Sequence, residues 1–115
     1  MDFKSPTNTG QFLFHALLRH CLTRNIHDGV SRVTEMDEIG AESSSLEALS
    51  LLRFADETYL TGRIYRILGT VAKKRHDEQF ALQWYQLALQ CFRTTKSIVE
   101  LNLTQELIDS LTLTN

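Results

Sequence analysis

The chain is poor in the residues that mark specialised protein classes. Of its 115 residues one is proline and five are glycine, which excludes collagen-like, low-complexity and disordered compositions. Its two cysteines, Cys21 and Cys91, give neither a disulfide framework nor paired zinc ligands. Both lie among apolar residues at helical spacing, where a thiol behaves as a small hydrophobe, so a reducing, cytoplasmic setting is expected. No run approaches the roughly 18–20 apolar residues that span a bilayer. The opening Met1-Asp2-Phe3-Lys4-Ser5-Pro6 lacks the apolar core of a signal peptide. No membrane association is expected.

Catalytic signatures are scarce as well. No Gly-rich phosphate loop and no Gly-x-Ser-x-Gly elbow occurs, and Gly62 and Gly69 fall inside a helical pattern. His15 and His20 lie five residues apart, about 140° around a helix, so they cannot chelate one ion together. A phosphotransfer histidine would have a lysine three positions on, where His15 has Leu18. Cys91 has no base near it in the sequence. The expectation is a non-enzymatic protein with no cofactor, no metal site and no catalytic residues.

Net charge is −2, from 12 Lys+Arg against 14 Asp+Glu, which gives no bulk attraction for nucleic acid. The charges are segregated. From Asp28 to Glu57 eight acids face two bases, and from Thr58 to Lys96 seven bases face two acids. The two stretches either pair within the fold or present oppositely charged faces.

What the chain does contain is helix-forming sequence, 43% hydrophobic and of one domain's length. Residues 1–9 are polar, hold the only proline and read as a flexible tail, followed by a single helical domain over 10–115. Asn8 with Gln11 resembles a capping box. Phe12, Phe14, Leu17, Leu18, Cys21 and Leu22 predict a helix over 11–26, stopped at Asp28-Gly29. Over 27–44, Val30, Val33, Met36 and Ile39 suggest a short helix, broken by Gly40 and the serine run 43–45. Ser44 and Glu47 form a capping box that opens a helix ending near Glu57.

From Thr58 to Lys74, Leu60, Ile64, Ile67, Leu68 and Val71 share one side of a helix, and Tyr59, Arg63, Arg66, Thr70, Lys73 and Lys74 form a stripe on another. Arg75-His76-Asp77 is a turn, with Asp77 the N-cap of a helix over 78–93 that is apolar around most of its circumference. Such a helix is sandwiched between neighbours. Ser97 and Glu100 form a third capping box, opening a helix over 97–111 whose end frays. The fold class is all-α, with five main helices in antiparallel hairpins; an irregular helical bundle is the alternative.

The pair 62–93 resembles one tetratricopeptide repeat, a helix–turn–helix unit of about 34 residues. The pattern is carried by Tyr65, Leu68-Gly69, Ala81, Tyr85 and Ala88, with small residues where two helices approach closely. Ala72 stands where the family usually has tyrosine, and Arg93 where it has proline. Ala48, Leu52 and Ala55 repeat the second-helix spacing 33 residues upstream, as a degenerate earlier repeat, and the last helix resembles a solvating cap.

In such arrays the first helix of each pair lines a concave groove. The resemblance implies that Arg63, Arg66, Thr70 and Lys73, with Tyr59 and Lys74 beside them, form a partner-binding face, where guanidinium forks grip carboxylates. It implies an adaptor or chaperone-like module that binds an acidic protein segment. Two alternatives stand beside it: a nucleic-acid-associated regulator using the same basic face, and a helical subunit of a larger assembly. Phe80, Trp84, Leu87 and Cys91 share one side of the 78–93 helix, and that side needs either the last helix or a second copy, as in a homodimer.

Overall fold

The computed structural model describes residues 4–34, 37–52 and 57–113. These form five helices: α1 (Lys4–Thr34), α2 (Glu38–Leu51), α3 (Thr58–Lys74), α4 (Glu78–Thr94) and α5 (Ile98–Leu113). There is no strand among the described residues. Each helix packs on the next in sequence, and α1 also packs on α3. The all-α, five-helix expectation holds.

The α3–α4 hairpin is built by a match of absences and bulk. Gly62 and Gly69 lie one heptad apart on α3, and Phe92 and Tyr85 one heptad apart, in reverse order, on α4. A Cβ on Gly69 would come 2.6 Å from the Tyr85 ring, and one on Gly62 2.8 Å from the Phe92 ring. The glycines thus seat two rings and set the antiparallel register. Ala81, Tyr85 and Ala88 of α4 are fully buried, and Leu68 of α3 is buried too, as expected, though Leu68 joins the core on the α1–α2 side. Leu60, Ile64, Ile67 and Val71 turn the other way, into a core shared with Leu22 and Ile26 of α1 and Ala41 and Ala48 of α2.

Both hairpin turns after α3 and α4 use the same device. His76 (φ 63°) and Lys96 (φ 57°) adopt left-handed backbone, letting Asp77 N–H donate to Ala72 C=O at 2.9 Å and Ser97 N–H to Phe92 C=O at 2.9 Å. These bonds satisfy carbonyls that a helix end leaves open. Asp77 then caps α4 as expected, its carboxylate accepting from Phe80 N–H at 3.3 Å.

Several boundaries differ from the sequence reading. α1 begins at Lys4 rather than after Asn8; Pro6 falls in its first turn, where a missing N–H has no intrahelical partner to lose. Residues 1–3 of the expected tail lie outside the described residues. α1 also runs through Asp28-Gly29 to Thr34. Gly29 does not stop the helix, because it is buried: a Cβ there would sit 3.4 Å from both Ile67 and Ser45. Asp28 is held inside the helix by Arg32 one turn on (2.8 Å).

The Ser44–Glu47 capping box is overturned. α2 starts at Glu38, capped by Asp37, whose carboxylate accepts from Gly40 N–H at 3.0 Å. Gly40 therefore belongs to the first turn of α2, where the Arg32 side chain crosses it. The serine run lies mid-helix, with Ser44 donating to Asp28 at 2.5 Å and Ser45 buried. α2 ends at Leu51, short of the expected Glu57. Ala55 of the degenerate repeat spacing lies outside the described residues.

The acidic stretch is engaged mostly near at hand. The Ser44 hydroxyl, then Arg32, hold Asp28 below the usual carboxylate range; the Gly40 N–H, then Arg32, do the same for Asp37. Two pairs reach further: Arg75 to Glu42 at 3.0 Å and Arg19 to Glu57 at 2.5 Å. No helix among the described residues is long and apolar enough to cross a membrane.

α4 is flanked by α3 and α5, but not all of its apolar girth is covered. α5 packs Leu107, Ile108 and Leu111 onto the Ala81–Tyr85 side. Phe80 stays 57% exposed and Leu87 42%.

Candidate partner-binding groove

The polar stripe of α3 looks into a groove walled by α1 on one side and α5 on the other. A cavity of about 200 Å³ is lined by Val30 and Val33 of α1, Arg63, Arg66, Ile67 and Thr70 of α3, and Leu107 of α5. It adjoins a second, of about 440 Å³, through Arg66 and Leu107; Lys73, Leu103, Glu106 and Ser110 complete that one. Aliphatic side chains form much of the lining, and the charges come from α3 and Glu106. Such a mixture suits an amphipathic ligand.

α3 presents these side chains because its buried face is fixed on α1, α2 and α4, and the helical turn of about 100° per residue leaves the stripe on a side that faces the opening. The six stripe residues then meet different fates. Tyr59 donates its hydroxyl to Glu100 Oε2 at 2.8 Å, and Arg66 pairs with Glu100 Oε1. Both Arg66 and Glu100 side chains are only 20% exposed. The Arg66 guanidinium lies over the Phe92 ring, 5.4 Å from its centroid, and Tyr59 meets the same ring edge-on at 5.9 Å. Thr70 shares a 2.9 Å hydrogen bond with the buried Tyr85 hydroxyl, and Lys73 donates to Ser110 at 3.1 Å.

Arg63 is the exception: half-buried at the edge of the smaller cavity, it has no ion-pair partner among the described residues. Lys74 is half-buried at the end of α3 and lines neither cavity. Of the six residues, then, four line the groove, and three of those, Arg66, Thr70 and Lys73, are already bonded within the chain.

The electrostatics follow the geometry. Burial pushes the Glu100 carboxyl up, but the hydrogen bonds from Arg66 and Tyr59 and the charges of Arg66 and Arg63 outweigh it and leave the group below the usual carboxylate range. The bond to Glu100, then burial, raise the Tyr59 phenol.

Glu100 departs from what its sequence pattern predicts. The Ser97–Glu100 pattern predicts a capping box, in which the carboxylate turns back to its own helix end. It turns instead to α3. Nothing in the local sequence marks Glu100, Ser110 or Leu107 as groove residues.

No protein-family model, curated protein or solved structure matches this chain. The groove therefore has to be read on its own chemistry. His20 and His27 are exposed two turns apart on α1, and His76 is exposed in the turn after α3; the described residues hold no cluster of three or more His, Cys, Asp or Glu side chains able to bind a metal. Burial raises the Cys91 thiol, the wrong direction for a nucleophile at neutral pH.

Proposed function

We propose that this chain is a non-enzymatic protein–protein interaction module that holds a partner segment in the groove between α1, α3 and α5. One observation carries the reading: Arg63 stands half-buried and unpaired beside an aliphatic cavity. Glu100 reaches Arg63 only through space, so the guanidinium keeps its donors open to a ligand that brings a carboxylate into contact. The segment that fits is amphipathic, with apolar side chains for Val33, Ile67 and Leu107 and a carboxylate for Arg63.

The tetratricopeptide-like reading is part of the proposal, supported by Gly69 under the Tyr85 ring and by the buried Ala81 and Ala88. The free thiols of Cys21 and Cys91 favour a reducing, cytoplasmic setting. A nucleic-acid role is disfavoured because Glu100 neutralises Arg66, leaving few cations for a phosphate backbone.

The test is to capture partners with the wild-type chain and measure the affinity of each against an Arg63→Glu variant. Reversing a charge that faces a desolvated carboxylate should weaken binding by about 2 kcal/mol or more. A partner whose affinity ignores Arg63 would overturn the reading.

A further inference from the structure

The groove has two guanidinium groups one turn apart, and only one is open to a ligand. Arg66 is taken by Glu100, together with the Tyr59 hydroxyl. Glu100 stands in the first turn of α5, where Ile98 and Val99 are 63% and 72% exposed. α5 is held to the rest of the chain further along, by Leu107, Ile108 and Leu111. The carboxylate that closes the site thus sits in a first turn whose Ile98 and Val99 face solvent, one turn ahead of the fully buried Thr104.

We infer that Glu100 is an internal competitor for the groove: it occupies the Tyr59–Arg66 site that a carboxylate of an amphipathic acidic segment takes when it displaces it. The inference rests on the proposed function, since it concerns the same groove. Its physical basis is the chemistry of the occupant. A phenol donor, a guanidinium over an aromatic ring and a second guanidinium one turn away recognise a carboxylate, and the chain supplies one from the neighbouring helix. An incoming acid therefore meets Arg63 free but Arg66 already paired. A ligand with a single acid engages Arg63 alone. A ligand with two acids one turn apart gains the second contact only by releasing Glu100, so its apparent affinity is lowered by the fraction of molecules in which Glu100 holds its place.

The experiment uses a fluorescein-labelled helical peptide of glutamates and leucines arranged as one acidic and one apolar face, with a glutamine-for-glutamate version as control. Its affinity is measured for wild type, Glu100→Gln, Arg63→Glu and the combination. Glu100→Gln should bind the acidic peptide about tenfold more tightly, and Arg63→Glu should weaken binding in both backgrounds. A second measurement needs no variant: carbodiimide labelling of the wild-type Glu100 carboxylate, read by mass spectrometry, should rise when the peptide is bound. Should Glu100→Gln fail to fold, this labelling alone decides. Equal or weaker binding by a folded Glu100→Gln, or labelling of Glu100 unchanged by bound peptide, overturns the competitor while leaving Arg63-dependent binding intact. No binding of the peptide by wild type or Glu100→Gln overturns the competitor and the proposed function together.

Discussion

Arg66 of α3 and Glu100 of α5, 34 positions apart, close an ion pair with the Phe92 ring beneath the guanidinium. The pair ties the last helix to the central hairpin and also takes up one of the three cations that line the groove, Arg63, Arg66 and Lys73. Arg63, one turn earlier on the same stripe, makes no such bond. Two residues that are alike in the sequence therefore do different work.

That difference is measurable as stability. Arg66→Ala should cost about 1–2 kcal/mol, because it removes a charge-assisted hydrogen bond in a largely buried setting and strips the Phe92 face of its cover. Arg63→Ala should change stability by less than about 0.5 kcal/mol. Urea denaturation of the two variants beside wild type checks the split; equal effects would place both residues in the same structural role.

The Glu100 contribution should depend on acid. Its carboxyl is depressed in the folded chain from the ordinary 4.5, so the stability it provides is fully present above that value and lost as pH falls through the depressed pKa. The stability gap between wild type and Glu100→Gln should accordingly be constant near neutrality and shrink below about pH 4.5. Urea titrations across that range test it, and a gap that widens in acid would show the opposite sign.

The glycine-to-ring match between α3 and α4 should tolerate little added volume. Gly69→Ala places a methyl group 2.6 Å from the Tyr85 ring, where the ring is fully buried and bonded to Thr70. A loss of about 1–3 kcal/mol is expected for it and for Ala81→Leu. Thermal or urea unfolding reads both, and a neutral result would mean that the hairpin opens without penalty.

The left-handed turn residue His76 should run the other way. A side chain at φ 63° carries a steric cost that glycine does not, so His76→Gly should stabilise the chain by about 1 kcal/mol. Asn in its place should give an intermediate value. A destabilised glycine variant would show that the imidazole makes a compensating contact.

Exposed Phe80 and Leu87 point to self-association through the outer face of α4. Sedimentation at rising concentration should show a dimer that Phe80→Glu with Leu87→Glu returns to monomer, since an apolar contact between copies does not survive two buried charges. A monomer at every concentration would leave this face simply wetted.

The sequence signal is strongest where it is local. α3 and α4 were legible from their apolar period, the Asp77 cap and the small residues at 69, 81 and 88. α1 and α2 were less so, since Gly29, Gly40 and the serines 43–45 read as breaks. Burial reverses that reading: Gly29 admits Ile67 and Ser45, and Gly40 admits the Arg32 side chain, contacts that no window of neighbouring residues reveals.

The α3 stripe could be drawn from the sequence because six residues at helical spacing must share a face, whatever the helix packs against. Which of them stay available was decided only in three dimensions. Seating Tyr85 and Phe92 against Gly69 and Gly62 fixes how α4 lies on α3. α4 in turn carries α5, and that placement brings Glu100 to Tyr59 and Arg66 and Ser110 to Lys73. Helical period and capping act over a few residues and are written in the chain. Pairing across helices depends on register and approach distance, which exist only once the core has closed.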